Sequence, residues 1–437
     1  MKPFKLMFFG AGSTIFAKNV IGDCLLRFPD VPFEAALFDI DAVRLEESRA
    51  MLAYIAEKYG AKAKIVAYTD RAEALKDADF IVNAIQVGGY ESTMADFEIP
   101  KKYSLRQTIG DTLGVGGIFR ALRTIPVMEE LAEQIKHLCP KALFLNYVNP
   151  MAILTKYLIG TLELNAVGLC HSVQCCVSSL LSALDMKEHI PTCRSKIAGI
   201  NHQAWLLEIE DENGNDLYPE IKKRSREGFH KHKFDWDLVR HDIMARFGYY
   251  VTESSEHSSE YFPYFIKRNY PELIDAYHIP LDEYPRRCVK QGKEWKERKQ
   301  LLVTDKVEHS ISNEFASSIV EAKSGGGVCR IHGNVLNKGL ISNLPEDCCV
   351  EVPCLIDKNG VNPCYVGALP EQLAALNRTN VNVQNLAAEA AAKRSRELVY
   401  MAAYLDPHTA AELSMDEIRA MCDELFAAHG KWLPEYR

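Results

Sequence analysis

Short apolar runs alternate with longer stretches of helical spacing through the first 175 residues. Lys5–Phe9, Ala35–Phe38, Ile65–Tyr68, Phe80–Gln86, Ala142–Tyr147 and Ala166–Cys170 read as strands. The stretch that follows Gly10–Ser13 through Cys24–Arg27, and Val43–Lys58, read as helices between them. Strands alternating with helices predict a parallel sheet with right-handed crossovers. Residues 1–175 are thus expected to form an α/β, Rossmann-like doubly wound domain.

The pattern changes beyond residue 175. Lys196–Glu210 is strand-like and ends in the turn residues Glu212–Asn215. Tyr218–Arg298 is charged and aromatic with no clear period. Gly327–Val335 and Cys348–Ile356 read as strands around Asn337-Lys338-Gly339, and Val381–Leu433 is Ala-rich and helical. Residues 176–437 are expected to form an α+β domain packed closely on the first. No internal repeat, low-complexity linker or charge block interrupts the chain.

Composition narrows the function. The 437 residues are 47% hydrophobic and 25% charged, which excludes general disorder. Net charge is −8 with no basic block, so neither nucleic acid nor an anionic membrane is an expected partner. A small-molecule substrate fits better. No apolar run reaches the roughly 18 residues of a membrane span, and the apolar part of Met1–Phe9 is too short for a signal peptide. Thirteen cysteines, an odd number with no CxxC pair, suit reduced thiols and a cytoplasmic location.

Gly10-Ala11-Gly12-Ser13-Thr14 lies between a strand and a helix. One glycine permits the tight turn, and the other lets a pyrophosphate approach the backbone at the helix N-terminus. Ile15 stands where GxGxxG has its third glycine, so the loop alone also suits an ordinary strand–helix turn. The next strand ends in Asp39, whose carboxylate would accept the ribose hydroxyls of NAD and repel the 2′-phosphate of NADP. Asp41 is a rival for that role.

Ligands of open parallel sheets bind beyond the carboxyl ends of the strands. The residues expected there are Gly10–Ser13, Asp39, Gln86–Tyr90, Asn146–Pro150 and Cys170-His171-Ser172. Asn149 precedes a proline and is held extended, as a turn residue or as a contact for a substrate hydroxyl. Cys170 is either a small buried hydrophobe or, with His202, half of an open metal site whose other ligands are water and substrate. The glycine-dense loop 107–117 carries Asp111, and 252–261 gathers acids, His257 and Tyr261. Arg287 either clamps a ligand or faces water. No GxSxG, P-loop or HExxH motif is present.

Taken in order, GAGST at 10–14, FDID at 38–41, QVGGYE at 86–91, GDTLGVGG at 110–117, NYVNPMA at 146–152, GLCHSVQ at 168–174 and AGINHQAW at 198–205 resemble glycoside hydrolase family 4. VTESSEH at 251–257, LDEYPRRCV at 281–289 and DPHTAAELSMDEI at 406–418 resemble its α-galactosidase branch. The resemblance spans essentially the whole chain, and its motifs together are specific. It implies an architecture like that of lactate and malate dehydrogenases. It also implies NAD and a divalent metal, usually Mn2+, as cofactors, an α-galactoside substrate and a homo-oligomer. The family is an NAD-dependent exception to two-carboxylate glycosidases. The implied chemistry oxidises the sugar at C3, removes the C2 proton, eliminates the leaving group, adds water and returns the hydride.

Carried over motif by motif, the resemblance makes Cys170 and His202 metal ligands and Asn149 and Arg287 substrate contacts. It places His171 where some members have the acid for the leaving group. Asp111 would support the base, which would be Tyr261, Glu256 or His257. The alternatives are the same chemistry on α-glucosides or α-galacturonides, or a 2-hydroxy-acid dehydrogenase.

Overall fold

The computed structural model describes residues 1–229, 231, 233–302 and 307–437, with residues 296 and 298–302 described by backbone alone. Six strands, β1 (Phe4–Phe9), β2 (Phe33–Phe38), β3 (Ala63–Tyr68), β4 (Phe80–Asn83), β5 (Leu143–Asn146) and β6 (Ala166–Leu169), pair in parallel in the order β3-β2-β1-β4-β5-β6. That order reverses direction at β1, as in dinucleotide-binding folds.

Successive residues of β1 feed opposite faces, as a two-residue period requires. Leu6 and Phe8 join a core with Val20, Ile21, Leu52 and Ile55 of the helices Thr14–Arg27 and Ala42–Lys58. Met7 and Phe9 join a second core beneath the helix Gly114–Leu138. The C-terminal helices Glu371–Lys393, Arg396–Leu405 and Met415–His429 close that second face through Ala387, Tyr400 and Leu425. The predicted helical stretch 381–433 therefore breaks into segments, with a short helix Pro407–Glu412 between the last two.

The sheet does not stop at β6. Six further strands are β7 (Arg194–Ile200), β8 (Gln203–Glu210), β9 (Tyr250–Val251), β10 (Cys329–Leu336), β11 (Cys349–Asp357) and β12 (Gly360–Pro363). β10 pairs antiparallel with β6, and the order continues β10-β11-β7-β8-β9, with β12 on β11. One sheet of twelve strands thus runs through both halves of the chain.

Two expectations need correction. Lys196–Glu210 is not one strand but a hairpin, with Asn201-His202 as a two-residue turn. Apolar residues flank the turn on both sides, and the three polar residues Asn201-His202-Gln203 between them mark the break. Tyr218–Arg298 also holds more regular structure than its period suggested, including the helices Tyr218–Phe229, Leu238–Phe247, Ser255–Tyr261 and Glu283–Leu302. Their buried faces carry polar groups: Asp237, Arg240, His241 and Ser255 bond to one another and to Tyr250. All thirteen cysteines are free. Among the described residues no helix is long and apolar enough to cross a membrane.

Candidate active site

A cavity of about 310 Å³ opens at the carboxyl edge of the parallel strands. Ser13, Gln86, Arg120, Asn149, His171 and Cys170 line it, and His202 reaches it from the hairpin tip. Residues predicted from strand ends and from the second half therefore share one space.

At one end the loop 10–13 is tied to β2. The N–H groups of Gly10 and Ala11 both donate to the Phe38 carbonyl at 3.0 Å. Gly10 has φ +97°, and a Cβ there would lie 2.8 Å from the Ala84 carbonyl carbon. Only glycine is comfortable with both constraints. Asp39 accepts from the N–H of Gly12 at 2.7 Å and of Asp41 at 2.9 Å. A Cβ on Gly12 would sit 2.8 Å from that carboxylate. Asp41 instead caps the helix Ala42–Lys58 through the N–H groups of Val43 and Arg44. Its role is structural, which leaves Asp39 facing the loop. Ser13 precedes the helix Thr14–Arg27 without capping it by its side chain. The first-turn N–H groups are thus available to an anion. The Thr14 hydroxyl is committed inward: it donates to the Gly12 carbonyl and accepts from Ser48.

At the other end Cys170 Sγ, a His202 ring nitrogen and a Glu253 carboxylate oxygen lie within 4.8 Å of one another. His202 Nε2 stands 3.5 Å from Glu253 Oε2. His202 sits at the hairpin tip with φ +62°, a left-handed conformation uncommon for a residue with a side chain. Its Nδ1 and both polar side-chain atoms of the neighbouring Asn201 are buried without a hydrogen-bond partner among the described residues. Burial pushes the Cys170 thiol up to about 11, and Glu253 pushes it further in the same direction. Burial would also raise Glu253, but His202, His257, the Ser254 N–H and Arg240 together hold it below the usual carboxylate range. A thiol, an imidazole and a carboxylate that converge with unsatisfied buried neighbours fit a divalent cation. Such a cation would also displace the thiol proton.

The remaining candidates surround this pair of ends. Asp111 is buried, accepts from Asn149 Nδ2 at 3.2 Å and Thr112 Oγ1 at 2.6 Å, and lies 3.4 Å from Arg120 Nη1. Burial works to raise its pKa, yet Arg120, with His257 and Thr112, leaves it lowered. Tyr261 is buried 6.1 Å, ring to ring, from His202, and its hydroxyl has no partner among the described residues. Burial and then the charges of Asp111, Cys170 and Glu253 push its pKa well up. His257 packs 4.4 Å from the His202 ring and is held down to about 4, first by burial and then by His202. Glu256 turns away to Arg287 at 3.3 Å. Arg287, 43% exposed, also pairs with Glu283 at 2.9 Å and is not among the residues lining the cavity. His171 does line the cavity, and its Nε2 lies 2.8 Å from Glu314. The Glu314 hydrogen bond is the largest influence on its pKa, and raises it.

Five residues at this site escaped the sequence reading as actors: Glu253, Arg120, Glu260, Glu314 and Glu351. Glu260 accepts from the N–H groups of Thr108, Ile109 and Gly110 at 2.7–3.2 Å and so pins the loop that carries Asp111. Glu351 is wholly buried on β11, accepts from Asn334 at 3.3 Å, and has its pKa pushed well up, first by burial and then by Cys170. For Arg120 and Glu351 the signal was a charged residue on an otherwise apolar stripe, Gly116–Leu122 and Cys349–Ile356, whereas Glu253, Glu260 and Glu314 lie in polar sequence that does not single them out.

The chain is 56% identical over 435 residues to an α-galactosidase of Bacillus subtilis (strain 168), covering 99% of this chain and 100% of that protein. It is 34% identical to an α-galactosidase of Rhizobium meliloti (strain 1021), covering 100% of this chain and 90% of that one. Its fold matches the crystal structure of a 6-phospho-α-glucosidase from gut microorganisms in complex with NAD and Mn2+, with a TM-score of 0.81 and 24% identity over 100% of both chains. Residues 5–186 match the family 4 glycosyl hydrolase model and residues 197–409 the C-terminal domain of the same family. On these grounds, the chain belongs to family 4 of the glycosyl hydrolases.

Proposed function

We propose that the chain hydrolyses α-galactosides and that it uses NAD+ and a divalent metal, Mn2+ in the first instance. The observation that carries this reading is a shared cavity: Ser13, at the end of the loop 10–13, lines it together with Cys170 and His202. A dehydrogenase of the lactate or malate type has no use for a thiol, imidazole and carboxylate converging beside its nucleotide loop. The relatives named α-galactosidase supply the sugar.

Gly10, Gly12, Ser13 and Asp39 would hold NAD+, while Cys170, His202 and Glu253 would hold the metal. When bound, the two would supply a reversible hydride acceptor and a Lewis acid. The chain's own groups do the rest. Asn149, whose amide already donates to Asp111, is placed to orient a sugar hydroxyl. Arg120 bonds to the Asn149 carbonyl at 3.1 Å and to Tyr284 at 3.1 Å, and it neutralises Asp111. Among the described residues on the cavity wall no other Arg or Lys occurs. A sugar carboxylate or phosphate would therefore meet no uncommitted cation there, which favours a neutral hexose over a galacturonide.

Tyr261 is the preferred C2 base and His257 its rival. Tyr261 needs neighbouring positive charge before it can ionise, and a cation on the Cys170–His202–Glu253 set would supply it. Glu256, engaged with Arg287, is the least suited of the three. His171 is the group proposed to protonate the leaving oxygen.

The test is hydrolysis of 4-nitrophenyl α-galactoside with and without NAD+, Mn2+ and thiol reductant, followed also at 340 nm. Nitrophenol release that needs both cofactors, with no build-up of NADH, is expected. Activity only on the α-glucoside or α-galacturonide would move the sugar assignment. NADH produced from a hydroxy acid, with silence on all three glycosides, would overturn the reading.

A further inference from the structure

His171 is half-exposed on the cavity wall, yet one of its ring nitrogens is tied to a group far away in sequence. Glu314 Oε2 lies 2.8 Å from His171 Nε2, and the Glu314 side chain is only 7% exposed. The backbone of Glu314 is itself anchored. The Glu314 N–H donates to Ser312 Oγ at 3.2 Å, and Ser312 donates to Asp23 through its hydroxyl at 2.6 Å and its N–H at 2.9 Å. Asp23, wholly buried on the helix Thr14–Arg27, also meets His309 Nε2 at 2.8 Å. Partly buried hydrogen bonds thus tie the backbone of Glu314, through Ser312, to Asp23 in the core of the nucleotide-side helix, and the Glu314 side chain carries that anchor to the imidazole.

A carboxylate that takes one ring nitrogen fixes both the plane of an imidazole and which nitrogen remains for the substrate. Here Nε2 is taken, so Nδ1 is the nitrogen left for the cavity. We propose that Glu314 is the positioning residue that orients His171 for transfer of a proton to the departing glycosidic oxygen. The inference rests on the α-galactosidase reading above. In the step concerned, the bond from C1 to the glycosidic oxygen breaks, and its electron pair stays on that oxygen. The donor is the His171 imidazolium, with its Nε2–H held by the Glu314 carboxylate. Its Nδ1 proton passes to the oxygen, leaving a neutral imidazole, and the leaving group departs as a neutral alcohol. The pair that closes the C1–C2 double bond comes from the C2–H bond, whose proton has gone to the base. Glu314 touches neither substrate nor cofactor.

A positioning role predicts selectivity that a merely structural one does not. Glu314→Gln keeps the shape but replaces the carboxylate. With an alkyl leaving group, as in a disaccharide α-galactoside, kcat is expected to fall about a hundredfold, at the lower end of what general acid catalysis supplies. With 2,4-dinitrophenyl α-galactoside, whose leaving group needs no proton, the loss is expected to stay within about threefold, because that benefit was never in use. Mn2+ and NAD+ affinities, measured directly by titration, should not change. Equal losses on both substrates, or no loss on either, would overturn the inference while wild-type activity preserved the α-galactosidase reading. A wild-type enzyme silent on both substrates with NAD+ and Mn2+ present would overturn the reading and the inference with it. Should Glu314→Gln fail to fold, Ser312→Ala removes the hydroxyl that links the Glu314 N–H to Asp23 while the Ser312 N–H still donates to Asp23, and it should show the same selectivity at smaller size. A Ser312→Ala loss that ignores the leaving group would count against the proposal.

Discussion

The two ends of the cavity are built on different principles. At the nucleotide end the contacts are short in sequence and made largely by backbone: the N–H groups of Gly10 and Ala11 on Phe38, and the N–H of Gly12 on Asp39. At the metal end every group comes from a different element: Cys170 after β6, His202 from a hairpin tip, Glu253 after β9 and Glu314 from a loop before the helix Ala316–Lys323. Backbone cradles tolerate side-chain change nearby but not a Cβ in the wrong place. Converging side chains depend on distant segments keeping register, so each ligand there should be individually costly to lose.

The sharpest way to break this contrast is Cys170→Ser. A hydroxyl is a poor substitute for a thiolate, so Mn2+ affinity should fall by more than the roughly 10–100-fold expected of an outer-shell partner. Excess Mn2+ should restore part of the activity, and NAD+ affinity should be unchanged. Mn2+ titration followed by electron paramagnetic resonance reads this directly, and an unaltered dissociation constant would remove Cys170 from the site.

Asp39→Ala probes the other end with the opposite signature. Loss of a carboxylate that steadies the loop and receives the ribose should weaken NAD+ by about 10–100-fold, the worth of one charged hydrogen bond of about 1.5–3 kcal/mol. Mn2+ affinity should hold. Fluorescence titration with NAD+ decides it. Unaltered affinity would shift the ribose contact elsewhere.

The smallest effect concerns stability and belongs to the antiparallel half, whose core buries polar groups. His241 is stacked 3.7 Å from Phe234 and bonded to Ser225 at 2.8 Å, and burial holds its pKa down to about 4. Above about pH 6.5 the imidazole is neutral in both folded and unfolded chains, and its contribution is intact. As pH falls from there towards 4, the unfolded chain takes up a proton that the folded one refuses, and stability drops by up to about 1.4 kcal/mol per pH unit. His241→Asn should flatten that part of the curve by one proton, as read by urea unfolding at a series of pH values. An unchanged slope would mean that His241 does not carry it.

The nucleotide end was legible because its features are local: a strand, a GxG turn, a helix and an acid at the next strand's end. The βαβ alternation also placed Asn149, Cys170 and His171 on the same edge, through the rule that parallel strands present their carboxyl ends together. Beyond residue 175 local pattern was a poorer guide. The strand-like residues on both sides of Asn201-His202 read as one strand although they form a hairpin, and helices that bury Asp237 and His241 showed no clean period.

Sequence alone determined the fold class and the resemblance to family 4, and it singled out the loop 10–14, Asp39, Cys170 and His202 as candidates. These depend on short-range periodicity or on ordered motifs, which survive without coordinates. Only the tertiary structure brought Glu253 within 4.8 Å of Cys170 and His202 and Arg120 within 3.4 Å of Asp111. It alone tied Glu314 to His171 and turned Arg287 away from the cavity. The Glu314–His171 and Glu253–His202 contacts join segments tens to hundreds of residues apart, and no spacing rule in a linear chain encodes them.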